Sequence, residues 1–252
     1  MESMIKQKPA LLFSFLTIIF TFGVYFLPLP REALPFLMVL VPALLAIVLT
    51  ALLEGRAGIG ILSGRLTQWR ISPKWFLIAI GVAFLMRLAV SIMAILLGYI
   101  DSIRLRPLRP VEVVIFALIF IIAALPEELG WRGFALPPLL ANHSPLFAGL
   151  LLGFFWGLVH LALHLPGMPS AGQPWIATIL QLVGLSVLLT WFYVNGGMNI
   201  VLTSIFHASQ SFFVIINDGI TISQQTWLMA SVWMGTALII VLIDPSIRKT
   251  PG

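Results

Sequence analysis

Cysteine is absent from the 252 residues. This excludes a disulfide framework, a thiolate nucleophile and iron–sulfur ligation by the chain. Charge is scarce as well: Asp, Glu, Lys and Arg together make up 9% of the sequence, against about 25% in a soluble domain. Ten-residue stretches of alternating apolar and polar side chains are also lacking, which argues against a membrane β-barrel. What is present is 60% apolar, with a mean hydropathy of +1.07, and falls into repeated apolar runs of helical length. Lipid admits only helices or closed barrels as spanning structures. The expected fold class is therefore an all-α polytopic membrane protein with about eight transmembrane helices.

The formal charge of +5 comes from 14 Lys and Arg against 9 Asp and Glu. Most of the basic residues stand singly or in short groups between apolar runs, where membrane topology and lipid headgroups account for them without nucleic acid. The first apolar run has no following small-residue cleavage signal and reads as a retained span rather than a removable signal peptide.

Spans are expected near residues 10–27, 36–53, 75–99, 111–136, 145–165, 175–194, 198–216 and 227–243, with Pro137 and Pro138 ending the fourth. Residues 54–74 carry Arg56, Arg65, Arg70 and Lys74 among Ile59, Ile61, Leu62, Leu66, Trp69 and Ile71. They fit either an interfacial segment or a basic cytoplasmic loop. Arg87 lies within the third span, where pairing with another helix, snorkelling or binding a substrate carboxylate are the alternatives. The chain reads as a single membrane domain, 1–252, with a core at 111–216. An even number of spans puts both termini on one side. A cytoplasmic placement leaves eight basic residues inside (Lys6, Lys8, Arg56, Arg65, Arg70, Lys74, Arg248, Lys249) and four outside (Arg31, Arg104, Arg106, Arg109). In a prokaryote the location is the cell membrane.

The polarity concentrates in Pro126-Glu127-Glu128-Leu129-Gly130-Trp131-Arg132-Gly133. Ionisable groups at membrane depth are costly unless they are paired or face a wet cavity. Glu128 and Arg132, four residues apart, share a helix face and can pair. Glu127 is rotated away from that pair, which suits it to face a cavity and accept a proton. In the next span Trp156, His160 and His164 follow one another at one-turn intervals, and Gly149, Gly153 and Gly157 form a stripe that lets another helix approach closely. Glu127 and His160 are separated by 33 residues about a turn near His143 and Ser144, so antiparallel helices bring them to similar depth. His207 lies mid-span among Ser204, Ser209, Gln210 and Ser211, donors suited to a developing oxyanion or to bridging helices. The bland alternative is an ion pair that only joins helices, with Glu127 and the histidines satisfied by packing neighbours.

Other hydrolytic chemistries find little support. There is no His-Glu-x-x-His helix and no Gly-x-Ser-x-Gly elbow, and Asn217-Asp218-Gly219 has no second membrane aspartate to pair with.

These residues resemble the CPBP family, which includes the CAAX prenyl proteases and proteins of bacteriocin processing or immunity. The family's Glu-Glu-x-x-x-Arg motif is intact at Glu127, Glu128 and Arg132. Its Phe-x-x-x-His motif is represented by Trp156 and His160. Its His-x-x-x-Asn or His-x-x-x-Asp motif is represented by His207 and Ser211, with Ser in the amide or acid position. The resemblance covers residues 111–216. It implies an intramembrane endopeptidase in which Glu127 and His160 activate water, His207 with Ser211 faces the oxyanion, and Glu128 and Arg132 support the site. The implied substrate is a peptide or membrane-associated protein, lipidated or leader-containing, met among membrane lipids. No cofactor is favoured, although Glu127, His160 and His207 also make a donor set for a divalent metal such as zinc. The rival readings are a non-catalytic scaffold or bacteriocin-immunity protein that uses the same cavity for binding, and a small-solute transporter.

Overall fold

The computed structural model describes residues 8–68, 71–216 and 219–249. Among these residues the extended elements are helices: α1 (Pro9–Val24), α2 (Leu34–Gly64), α3 (Pro73–Leu96), α4 (Pro110–Glu128), a π-helical stretch (Leu129–Ala135), α5 (Leu136–Leu140), α6 (Pro145–His160), α7 (Trp175–Asn195), α8 (Ile200–Phe212) and α9 (Ile222–Ile243). Proline occupies the first turn of α1 to α6, where its missing N–H has no intrahelical partner to lose. Ser144, Asn199 and Thr221 each accept a backbone N–H at the start of α6, α8 and α9.

The outer surface is apolar, with Phe36, Leu52, Leu77, Leu96 and Ile243 each exposed. The interior holds Glu128, Arg132, Ser186, Thr190, Thr203 and Ser204. An apolar exterior around a partly polar core belongs to a bundle solvated by lipid. The chain is thus an all-α polytopic membrane protein, but not all eight expected spans have spanning length. Six helices are long and apolar enough to cross a membrane, whereas Pro9–Val24 and Ile200–Ile216 are shorter. The short α8 is set by Asn199, which caps its start, and by a tightening into a 3-10 turn at Phe213–Ile216. It is enclosed by α3, α4 and α7, so its apolar side chains meet protein more than lipid.

Two boundaries differ from expectation for local reasons. The second span and the basic segment form one helical run, bent at Gly55, whose φ of 65° and ψ of −152° interrupt the helix; a residue with a Cβ is strained there. Trp69 and Arg70 of that segment, like Lys6, Asn217 and Asp218, lie outside the described residues. In the fourth span, Pro137 and Pro138 do not end the helix. The π-helical stretch precedes them and a new segment starts at Leu136, which puts the prolines in a first turn, where no amide donor is needed.

The glycine stripe performs as expected. A Cβ at Gly149, Gly153 or Gly157 would lie 3.1, 2.7 and 3.1 Å from the Cα of Val187, Val183 and Ile179. The steps on α6 and α7 run in opposite directions, so the two helices are antiparallel and in near backbone contact. On α7, Gly184 allows the same closeness to α9, with its Cβ position 2.7 Å from the carbonyl carbon of Trp233. This packing fixes α7 between α6 and α9 and presents Ser186 to the interior.

Candidate active site

The site is assembled where α4, its π-helical continuation, α6 and α8 meet. Glu127 and Glu128 are the last residues of α4. Glu128 is fully buried, and Glu127 is 8% exposed. Arg132 follows on the π-helical stretch, also fully buried, and its Nη1 donates to Oε1 of Glu128 at 3.1 Å. The pair expected from spacing therefore forms. It has two further supports: Nη2 of Arg132 donates to Oγ of Ser186 at 3.1 Å, and the guanidinium lies 4.9 Å from the ring centroid of Trp156. A carbonyl of the π-helical stretch, that of Gly133, accepts a hydrogen bond from Arg65, which ties the basic end of α2 to the same element.

His207 approaches from α8. Its Nδ1 lies 3.1 Å from Oε1 of Glu128, and its Nε2 lies 3.9 Å from Oε2 of Glu127. An ionised carboxylate only accepts, so the Nδ1 contact puts a hydrogen on Nδ1 and leaves Nε2 on the side of Glu127. Trp156 packs edge-to-face on the His207 ring with centroids 5.1 Å apart. Arg132, Glu128 and His207 therefore form a buried chain of charge-assisted hydrogen bonds, with Nε2 of His207 at its end.

His160 ends α6. Its Nδ1 lies 3.0 Å from the carbonyl oxygen of Trp156, and a carbonyl likewise only accepts. The neutral ring therefore carries its hydrogen on Nδ1, and Nε2 is the basic nitrogen. The imidazole stands between two cavities. A small one of about 70 Å³ is lined by Glu127, His160, Thr21 and Met38 among others. A larger one of about 630 Å³ is lined by His160, His207, Trp156, Gln210, Ser211 and Arg87 among others. Glu127 and His160 thus share the lining of the first cavity, and the two histidines, without Glu127, share that of the second.

The remaining polar residues divide. Ser211 and Gln210 line the larger cavity, whereas Ser204 is tied to its own helix by donating to the carbonyl of Ile200 at 2.7 Å. His164 lies beyond α6 in a 3-10 turn and lines neither cavity. Arg87 is 3% exposed, which rules out snorkelling. It donates to the Gln210 carbonyl at 3.3 Å, joins α3 to α8 and also lines the larger cavity. Among the described residues no three His, Asp, Glu or Cys side chains are grouped to hold a metal ion. Sequence reasoning missed Ser186, one hydroxyl in an apolar span with no distinguishing pattern, and the stacking of Arg132 on Trp156.

Residues 109–213 match the family model of the type II CAAX prenyl endopeptidase Rce1-like proteins. The chain is also similar to a protein of Methanococcus maripaludis named CAAX prenyl protease 2, with 29% identity over 135 residues, or 50% of this chain and 48% of the relative. The chain spans about half the length of the curated relative it matches.

Proposed function

Because the chain belongs to the CPBP/Rce1-like CAAX protease family, we propose that it is an intramembrane endopeptidase that hydrolyses one peptide bond with water activated at Glu127. The observation that carries this reading is the buried contact of His207 with both glutamates, at 3.1 Å to Glu128 and 3.9 Å to Glu127. A gap of 3.9 Å is too long for a direct hydrogen bond but suits one water bonded to both groups.

In the proposed reaction, water held at Glu127 adds its oxygen to the carbonyl carbon, and its proton passes to the Glu127 carboxylate. The carbonyl electron pair moves onto oxygen, giving a tetrahedral oxyanion. Collapse of that intermediate breaks the C–N bond, and the leaving nitrogen takes the proton from Glu127. His160, with Nε2 as its basic nitrogen, assists the proton transfers. His207, its ring held through Nδ1 on Glu128, faces the oxyanion beside Ser211. Glu128 and Arg132 hold that imidazole in place. The larger cavity takes the peptide, and the protein walls limit the access of bulk water.

The substrate in this reading is a lipidated or leader-containing peptide or membrane-associated protein. The eight helices, including the two short ones, form a single membrane domain, 1–252, with a core at 111–216, both termini in the cytoplasm and, in a prokaryote, the cell membrane as the location. No cofactor is favoured, and a divalent metal such as zinc is the alternative. Ser211, in place of the family's Asn or Asp, favours a second reading, a scaffold or bacteriocin-immunity protein that binds a peptide without cutting it. The test is to incubate the detergent-purified chain and its H160A variant with lipidated and leader-type peptides and detect fragments by mass. Fragments from the wild type alone support proteolysis, whereas peptide binding by both without fragments supports the scaffold.

A further inference from the structure

A third cavity, of about 270 Å³, is lined by Glu54 and Gly58 of α2, by Arg65 in the turn that follows it, by Gly133 of the π-helical stretch and by Pro9 at the start of α1, among others. Among the described residues it shares no lining side chain with the two cavities of the candidate active site. Its depth in the membrane follows from α2. No charged residue stands between Glu32 and Glu54, and the helix from Leu34 to Glu54 rises about 30 Å at about 1.5 Å per residue, the thickness of a hydrocarbon core. Glu54 therefore reaches headgroup level. There the helix bends at Gly55, and charge returns to the sequence with Arg56 and Arg65.

Two opposite charges share this cavity without meeting. Glu54 and Arg65 both line it, yet among the described residues neither takes part in an ion pair. Arg65 gives one hydrogen bond to the Gly133 carbonyl, out of the five donors of a guanidinium. The Glu54 carboxylate lies back along α2: a Cβ at Gly58 would stand 2.7 Å from its Oε2 and 2.9 Å from Cγ2 of Thr50. The bare glycine leaves room for it there. The spacing of Glu54 and Arg65 corresponds to roughly 15 Å along a helix, which suits a dipolar group set between them better than a direct pair. The cavity is smaller than the about 300–1,000 Å³ that encloses a drug-sized ligand, so it admits a headgroup and not a whole lipid. Leu52 and Ile61, 75% and 60% exposed, offer an apolar surface for the chains of such a lipid.

We propose that this cavity binds the headgroup of an ethanolamine phospholipid, with the phosphate on Arg65 and the primary ammonium on Glu54. A guanidinium matches phosphate oxygens in a bidentate fashion, and the ammonium donates to the carboxylate. A choline headgroup has no N–H to donate, and an anionic headgroup sets no positive charge beside Glu54. Gly133 follows Arg132 directly, so the bound headgroup adjoins the element that carries the buried Glu128–Arg132 pair. The site goes beyond the endopeptidase reading, and its test needs no peptide cleavage.

The test measures lipid retention by native mass spectrometry and thermal unfolding of the whole chain in detergent micelles. The micelles are doped with dioleoyl phospholipids bearing ethanolamine, choline or glycerol headgroups, or supplied with water-soluble phosphoethanolamine. The wild type is expected to retain the ethanolamine lipid roughly tenfold or more tightly than the other two, the effect of one hydrogen bond between charged groups. Its melting temperature is expected to rise with the concentration of that lipid. Glu54→Gln is expected to abolish the preference for ethanolamine over glycerol, and Gly58→Ala, which crowds the same carboxylate, to reduce it. Arg65→Gln is expected to weaken binding of both lipids. A wild type that holds the glycerol or choline lipid as tightly as the ethanolamine lipid overturns the proposal, as does a folded Glu54→Gln variant that keeps the wild-type preference. Equal stabilisation by soluble phosphoethanolamine overturns a membrane lipid as the occupant.

Discussion

His207 and Arg132 share one acceptor: Nδ1 of His207 and Nη1 of Arg132 each lie 3.1 Å from Oε1 of Glu128. A fully buried carboxylate is thereby neutralised by a guanidinium on its own helical run while it orients an imidazole from another helix. The cost of burying the charge is offset within the bundle, and the imidazole is aimed at Glu127.

Removing one partner of that buried pair leaves the other uncompensated. Arg132→Met is expected to destabilise the chain by about 3–5 kcal/mol, read as a large fall in melting temperature in detergent. Ser186→Ala removes only the second hydrogen bond of the guanidinium and is expected to cost about 1–3 kcal/mol. Equal melting temperatures for Arg132→Met and wild type would contradict the pairing.

Glu128→Gln retains the size of the side chain but gives His207 a neutral acceptor. The imidazole keeps a hydrogen bond but loses the charge-assisted contact that fixes its orientation. Peptide cleavage is expected to fall by at least about 10²-fold, the lower range for disrupted acid–base chemistry. Substrate binding, measured separately, should be unchanged. Full activity in Glu128→Gln would remove the glutamate from the site.

Helix approach provides a prediction independent of the chemistry. Gly153→Ala places a methyl group 2.7 Å from the Cα of Val183 and is expected to destabilise by about 1–3 kcal/mol through overpacking. Gly235→Ala on α9 meets nothing within 4 Å. It is expected to be neutral or to stabilise by up to about 1 kcal/mol through helix propensity. The contrast is read by thermal unfolding of the two variants side by side.

The parts of the site that depend on spacing along one helix are legible in the sequence. Glu128 and Arg132 pair at i and i+4 even though the local helix is π, and the α6 glycines meet α7 as their spacing implies. What depends on rotation between distant helices is not legible: the contact of His207 with Glu128 joins residues 79 apart, and Ser186 looks like any hydroxyl in an apolar run. Apolar composition overstates the number of spanning helices because it reports removal from water, into lipid or into protein alike. The length of α8 depends on its Asn199 cap and its enclosure by neighbours. Pro137 and Pro138 look like terminators in the sequence because the π-helical stretch before them has no signature of its own.

The most direct measurement is the cleavage rate of Glu127→Gln against wild type on one peptide under single-turnover conditions, with folding checked by the melting temperature. Glutamine keeps the shape of the side chain but cannot accept the proton of water. Loss of a general base of this kind corresponds to about 10²–10⁴-fold, and a fall of that size with an intact fold is the predicted result. A folded Glu127→Gln protein that cuts the peptide at the wild-type rate would contradict water activation at this carboxylate.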